Sequence, residues 1–144
     1  MKALALIALA LLATPSLAGD FRSIAEPGTV MYDAPSGKAK RLYVVSRDYP
    51  VEVMVSLDGW LKVRDAAGEL TWLEKKSLSD HRTVLVTAPI AEVRQSAADQ
   101  APLAFRVEKG VAMELSEVGS SGWARIRLRD GRSGFVKVNQ VWGL

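Results

Sequence analysis

Gly59-Trp60-Leu61-Lys62-Val63-Arg64 and Gly122-Trp123-Ala124-Arg125-Ile126-Arg127 agree in residue type at every position, and this repetition constrains the fold more than any other feature of the chain. Eight residues beyond each Trp stands a glycine, Gly68 or Gly131. Twelve beyond stands an aromatic, Trp72 or Phe135, followed by an aliphatic residue, Leu73 or Val136. Upstream, Val51-Glu52-Val53 aligns with Met113-Glu114-Leu115 if the second copy carries one extra residue in Gly119-Ser120-Ser121-Gly122. A chain of 144 residues holds either one ordinary domain or two small ones. The repeat selects two.

Each copy reads as short strands. Period-two alternation runs through Val51-Glu52-Val53-Met54-Val55-Ser56 and through Ala124-Arg125-Ile126-Arg127-Leu128-Arg129. Pro27-Gly28, Pro35-Ser36-Gly37, Asp58-Gly59, Ala67-Gly68 and Asp130-Gly131 punctuate the runs as turns, and Asp130-Gly131 predicts a tight type I′ hairpin. The expected fold is all-β: a barrel over 19–80 and a second over 81–144, with 81–88 as a connecting strand. Modules of about 55–65 residues lie near the lower limit for an independent core. The connector has no Gly/Ser-rich run, so the barrels are expected to pack together or share a strand. An extended spacer would instead leave Val84, Leu85 and Val86 in water.

The first eighteen residues have the character of an address. Lys2 is a basic start, Ala3 to Ala13 is apolar throughout, Pro15 breaks the run, and Ser16-Leu17-Ala18 offers small residues at the cleavage positions. The apolar run is well short of the ~20 residues that span a bilayer, which favours a cleaved signal helix, removed before Gly19, over an anchor. With no cysteine there is no lipidation site, disulfide or thiol nucleophile. A soluble periplasmic protein, not inserted in the membrane, is the expectation. Net charge is only +3, so nucleic acid is not an expected partner. Residues 19–80 carry nine basic and ten acidic side chains, and 81–144 carry nine and six, so the second copy is the basic one.

The paired Gly-Trp-x-(Lys/Arg)-(Val/Ile)-Arg motifs, the glycine and aromatic downstream of each, Ser46-Arg47-Asp48-Tyr49-Pro50-Val51-Glu52-Val53, Lys75-Lys76-Ser77-Leu78-Ser79, Arg82-Thr83-Val84-Leu85-Val86 and the closing Val141-Trp142-Gly143 resemble the secreted tandem SH3-like proteins of proteobacteria. The resemblance implies small all-β barrels, an envelope location and a binding or scaffolding role. Two positions depart from the pattern: Thr71 stands where the family usually has Gly, and Phe135 where it usually has Trp.

Catalysis finds no support in the residues, since His81 is the only histidine, cysteine is absent and no acidic pair sits in a recognisable motif. No metal or other cofactor is expected. Strand parity directs Ala124, Ile126 and Leu128 inward and sets Trp123, Arg125, Arg127 and Arg129 on the opposite face. Trp60, Lys62 and Arg64 repeat that arrangement. An aromatic plane followed by cations fits a carboxylate-bearing ligand, and the resemblance implies that the first Trp of the motif lines the ligand groove. The same residues also fit a plainer role, with cations blunting a strand edge and Trp closing the core. The expected function is a non-catalytic binding module for cell-wall peptide or an envelope protein. The alternative is a structural adaptor that docks on a partner and has no cell-wall ligand.

Overall fold

The computed structural model describes residues 19–119 and 121–144, and the leader expected over 1–18 lies outside them. Among the described residues, fourteen short strands form two sheets of seven, one per repeat. The first contains β1 (Phe21–Ile24), β2 (Thr29–Tyr32), β3 (Arg41–Val45), β4 (Pro50–Leu57), β5 (Trp60–Arg64), β6 (Leu70–Glu74) and β7 (Leu78–Ser79), in the order β3-β2-β6-β5-β4-β1-β7. The second contains β8 (Thr83–Val86), β9 (Ile90–Arg94), β10 (Leu103–Glu108), β11 (Ala112–Val118), β12 (Trp123–Arg127), β13 (Ser133–Lys137) and β14 (Val141–Trp142), in the matching order β10-β9-β13-β12-β11-β8-β14. A single 3-10 turn, Lys75–Ser77 or Val138–Gln140, precedes the last strand of each. The fold is all-β as expected, with one correction. The outermost strands of each sheet are not hydrogen-bonded to each other, so the sheets are open and the barrels are not closed.

The expected connecting strand contains β8, which pairs with β11 and β14 and holds the place in the second sheet that β1 holds in the first. No strand is shared between the sheets. Val84 and Val86 are fully buried in the second core, which is why this segment is a strand and not a spacer. That core also contains Val93, Met113, Ile126 and Val136; the first contains Ile24, Met31, Val51, Leu61, Val63 and Leu73. Val63 and Ile126 are equivalent and wholly enclosed. Burying a side chain of this size stabilises by about 1.5–3 kcal/mol.

The register confirms the extra residue of the second copy, since Val53 faces Val63 while Leu115 faces Ile126. Two details differ from the expected pattern. The alternation of β4 fails after Val53, where a bulge at Met54 shifts the register and leaves Val55 47% exposed. The second copy has its bulge at the equivalent Ser116. The Asp130-Gly131 turn is not type I′, because only Gly131 has positive φ, at 93°. Gly131 donates to the Leu128 carbonyl and Leu128 N–H to the Arg132 carbonyl, giving a three-residue loop with a left-handed glycine. Gly68 closes the same loop in the first copy through Asp65.

The modules meet along β1, the Ser46–Tyr49 loop, β8 and the C-terminal strand. Buried Ser23 donates through Oγ to the His81 carbonyl at 2.6 Å, and buried Thr83 donates through Oγ1 to the Asp48 carbonyl at 2.6 Å. Phe21 meets Trp142 edge to face at 5.3 Å between centroids, and the Arg82 guanidinium stands over Phe21 while donating to the Gly143 carbonyl at 2.8 Å. Buried hydroxyls satisfied across the junction fix its geometry, because an unpaired polar group there would cost about 1–3 kcal/mol.

Candidate functional site

β5 and β12 are interior strands, each paired on both sides. Their outward cations therefore do not blunt a sheet edge, which corrects the plainer of the two roles expected for them. Several of them pair across strands. Arg64 binds Glu52 directly opposite it, and Arg127 binds Glu114 at the equivalent position at 3.1 Å. Arg129 reaches Asp48 of the first module at 2.7 Å. Lys62 lies 6.0 Å from the centre of the Trp72 ring. Arg125 has no carboxylate partner among the described residues.

The two tryptophans of the repeat share the outer face but differ in cover. Trp123 is 9% exposed, its ring packed beneath Lys137, which stands opposite it in β13 and is held to Asp99 at 2.6 Å. Glu92 and Arg94, themselves paired, complete that cover and leave a space of only about 70 Å³. In the first copy Glu74 stands opposite Trp60, where the second copy has Lys137. Trp60 is partly exposed and meets Tyr32 edge to face at 5.4 Å. Beside it opens a groove of about 590 Å³ lined by Gly59, Glu74, Lys75 and Lys76. Lys76 pairs with Glu74 at 3.0 Å, and Lys75 has no carboxylate partner among the described residues. An adjoining hollow of about 410 Å³ runs past Tyr32 to Pro27 and Gly28. The repeat thus places one open aromatic groove and one sealed counterpart on the same molecule.

A larger cleft of about 630 Å³ lies where the modules meet. The Ser46–Tyr49 loop forms one wall and the Arg127–Asp130 stretch another, with His81 and Thr83 between them. Asp48 has φ of 69°, while its counterpart in the second copy is Gly110 with φ of 87°. Both N–H groups donate to the β1 or β8 end, to the carbonyl of Ile24 or of Val86. The left-handed conformation costs a side-chain-bearing residue about 1–2 kcal/mol, less for Asp than for most. The Thr83 and Arg129 contacts hold Asp48 there. Asp130, on the opposite wall, is held below its ordinary pKa by hydrogen bonds from the backbone and side chain of Arg132, and so stays ionised. Burial raises the Tyr49 phenol above its ordinary value.

The family model for the bacterial SH3 domain matches the chain twice, over residues 25–80 and 87–143. The chain belongs to the bacterial SH3 domain family. In this bacterial SH3 tandem β1 and β8 lie just ahead of the two matched spans, in equivalent places. No curated protein matches the chain. Among solved structures, NlpC2 from Trichomonas vaginalis is similar at 18% identity and a TM-score of 0.38, over 87% of this chain and 48% of that one. An NlpC/P60 family protein from Bacillus cereus is similar at 14% identity and a TM-score of 0.36, over 85% and 55%. The tandem spans about half the length of each.

Sequence reasoning included Trp60 but not Tyr32, Lys75 or Lys76, which only the pairing of β2 with β6 and the 3-10 turn bring beside it. It also missed Asp48. The signal was available there, since extending the repeat upstream sets Asp48 against a glycine.

Proposed function

We propose that this bacterial SH3 tandem is an exported, non-catalytic binding module that recognises cell-wall peptidoglycan through the Trp60 groove of its first module. The observation that carries this reading is the contrast between the copies, with Trp60 open beside two lysines and Trp123 sealed by Lys137 and Asp99. An indole braced edge-on by Tyr32 offers a rigid stacking plane, and the ammonium groups of Lys75 and Lys76 suit the carboxylates of an acidic wall polymer. The leader over 1–18 supports export to the compartment where such a polymer lies.

A second reading, docking on an envelope protein, draws on β3. This strand ends the first sheet and carries Val44 at 70% exposure beside exposed Tyr43, an open edge suited to strand addition. Tyr43 donates to Glu69 at 2.8 Å, and that bond raises the phenol above its ordinary pKa, so the ring stays neutral on this edge.

Co-sedimentation with purified sacculi separates the readings. Trp60→Ala and the exposed pair Lys75→Ala/Lys76→Ala are each expected to lower retention about tenfold, a loss of ~1.4 kcal/mol. The lysine pair should leave the melting curve unchanged, since surface substitutions stay within ~0.5 kcal/mol. Unaltered retention in both variants would overturn the groove. Absence of retention in the parent protein would favour the docking reading.

A further inference from the structure

We infer that the cleft between the two modules is a second binding site, built to hold the free carboxylate end of a short peptide. That the peptide comes from the cell wall rests on the function proposed above; the cleft itself rests on other residues.

The cleft has a volume within the range of small-molecule and short-peptide sites. It adjoins a hollow of about 550 Å³, and Arg47, Asp48, His81 and Arg129 line both. These four side chains therefore sit where the two spaces join. The lining charges balance in number, Arg47, Arg127 and Arg129 against Asp48, Glu114 and Asp130, but not in their pairing. Arg127 pairs with Glu114, Arg129 with Asp48, and Asp130 with Arg132 outside the cleft. Arg47 donates only its Nε, to the Ala25 carbonyl at 3.1 Å, and has no carboxylate partner among the described residues. One guanidinium thus remains whose terminal N–H groups are available, and a planar fork of that kind takes a carboxylate in two parallel hydrogen bonds. A carboxylate brought by a ligand would give Arg47 the partner it lacks.

Asp48 already holds one guanidinium of the cleft. The repeat places a glycine in this turn of the second module, yet the first carries an aspartate with φ of 69°. Its carbonyl is fixed by Thr83, and its carboxylate crosses the cleft to Arg129. The first module thus puts a carboxylate into the cleft where the second has no side chain at all. The Asp48 carboxylate engages Arg129, and an entering peptide carboxylate on Arg47 competes with it for Arg129. Ligand binding at this point bridges both modules, since Arg47 belongs to one and Arg129 to the other.

Isothermal titration of the full chain with the synthetic tripeptide Ala-γ-Glu-diaminopimelate and its C-terminal amide tests the inference. The free acid is expected to bind, and the amide at least tenfold more weakly. Arg47→Ala should weaken the free acid at least tenfold. Asp48→Asn should tighten it several-fold, because asparagine keeps the left-handed turn and the Thr83 acceptor while releasing Arg129. Backbone amide shifts at Asp48 and Thr83 in the titrated chain, followed beside those at Trp60 and Lys75, keep this site apart from the groove. Equal affinity for acid and amide, no heat from the acid, no effect of Arg47→Ala, or weaker binding by Asp48→Asn would each overturn it. So would amide shifts confined to the Trp60 groove.

Discussion

Ile126→Ala is expected to destabilise the second module by about 2–4 kcal/mol, within the range for truncating a buried Ile and leaving a cavity. Ile126 has no exposed surface and lies in β12 between Leu115 and Gly134. The neighbour on one side is thus a glycine, with no side chain that could swing into the space. A domain of some 55–65 residues, at roughly 0.05–0.15 kcal/mol per residue, has only a few kcal/mol in total. The substitution removes a large part of it. Val63→Ala, at the same place in the first core, removes fewer atoms and should cost less. Urea titrations followed by tryptophan emission measure both, and a loss under ~1 kcal/mol for Ile126→Ala would mean that this position does not anchor the core.

Gly134→Ala is expected to be nearly as damaging, at about 1–3 kcal/mol, although it adds a single methyl group. A β-carbon there would stand 2.5 Å from Val93 Cγ1 and 2.7 Å from the Arg94 carbonyl oxygen. Val93 can turn, but the Arg94 carbonyl belongs to backbone fixed by the Phe135–Arg94 pairing of β13 with β9. Relief therefore requires the two strands to separate. The first copy shows that the restriction is local, since Thr71 fills the equivalent position while only 2% exposed. A normal melting curve for Gly134→Ala would show that β9 and β13 yield more easily than their pairing suggests.

The departure at Thr71 was visible in the sequence, but its consequence was not, because it depends on how closely β2 or β9 approaches the neighbouring strand. The same division runs through the molecule. The repeated Gly-Trp motif, the inward positions of Val63 and Ile126 and the strand character of Val84–Val86 follow from periodicity, a local property of the chain. The bulges at Met54 and Ser116 do not, since they arise from pairing two residues against one on another strand. Trp123 shares its face with Arg125 and Arg127 as parity required, yet its cover comes from Asp99 and Lys137 in other segments. No alternation within β12 reports them. The Asp48–Arg129 contact joins residues 81 positions apart and was equally out of reach. Asp48 itself was not, for a side chain standing where the other copy has glycine is a mark that the alignment carries.

The function turns on which tryptophan meets the ligand, and the four indole N–H signals of the protein report this separately. Two-dimensional NMR of the labelled chain, titrated with soluble disaccharide-peptide fragments of peptidoglycan, is the direct measurement. The Trp60 signal should shift progressively and saturate, while that of Trp123, sealed beneath Lys137, stays in place. A shift at Trp123 with Trp60 unmoved, or four indole signals that never move, would contradict recognition through the first module.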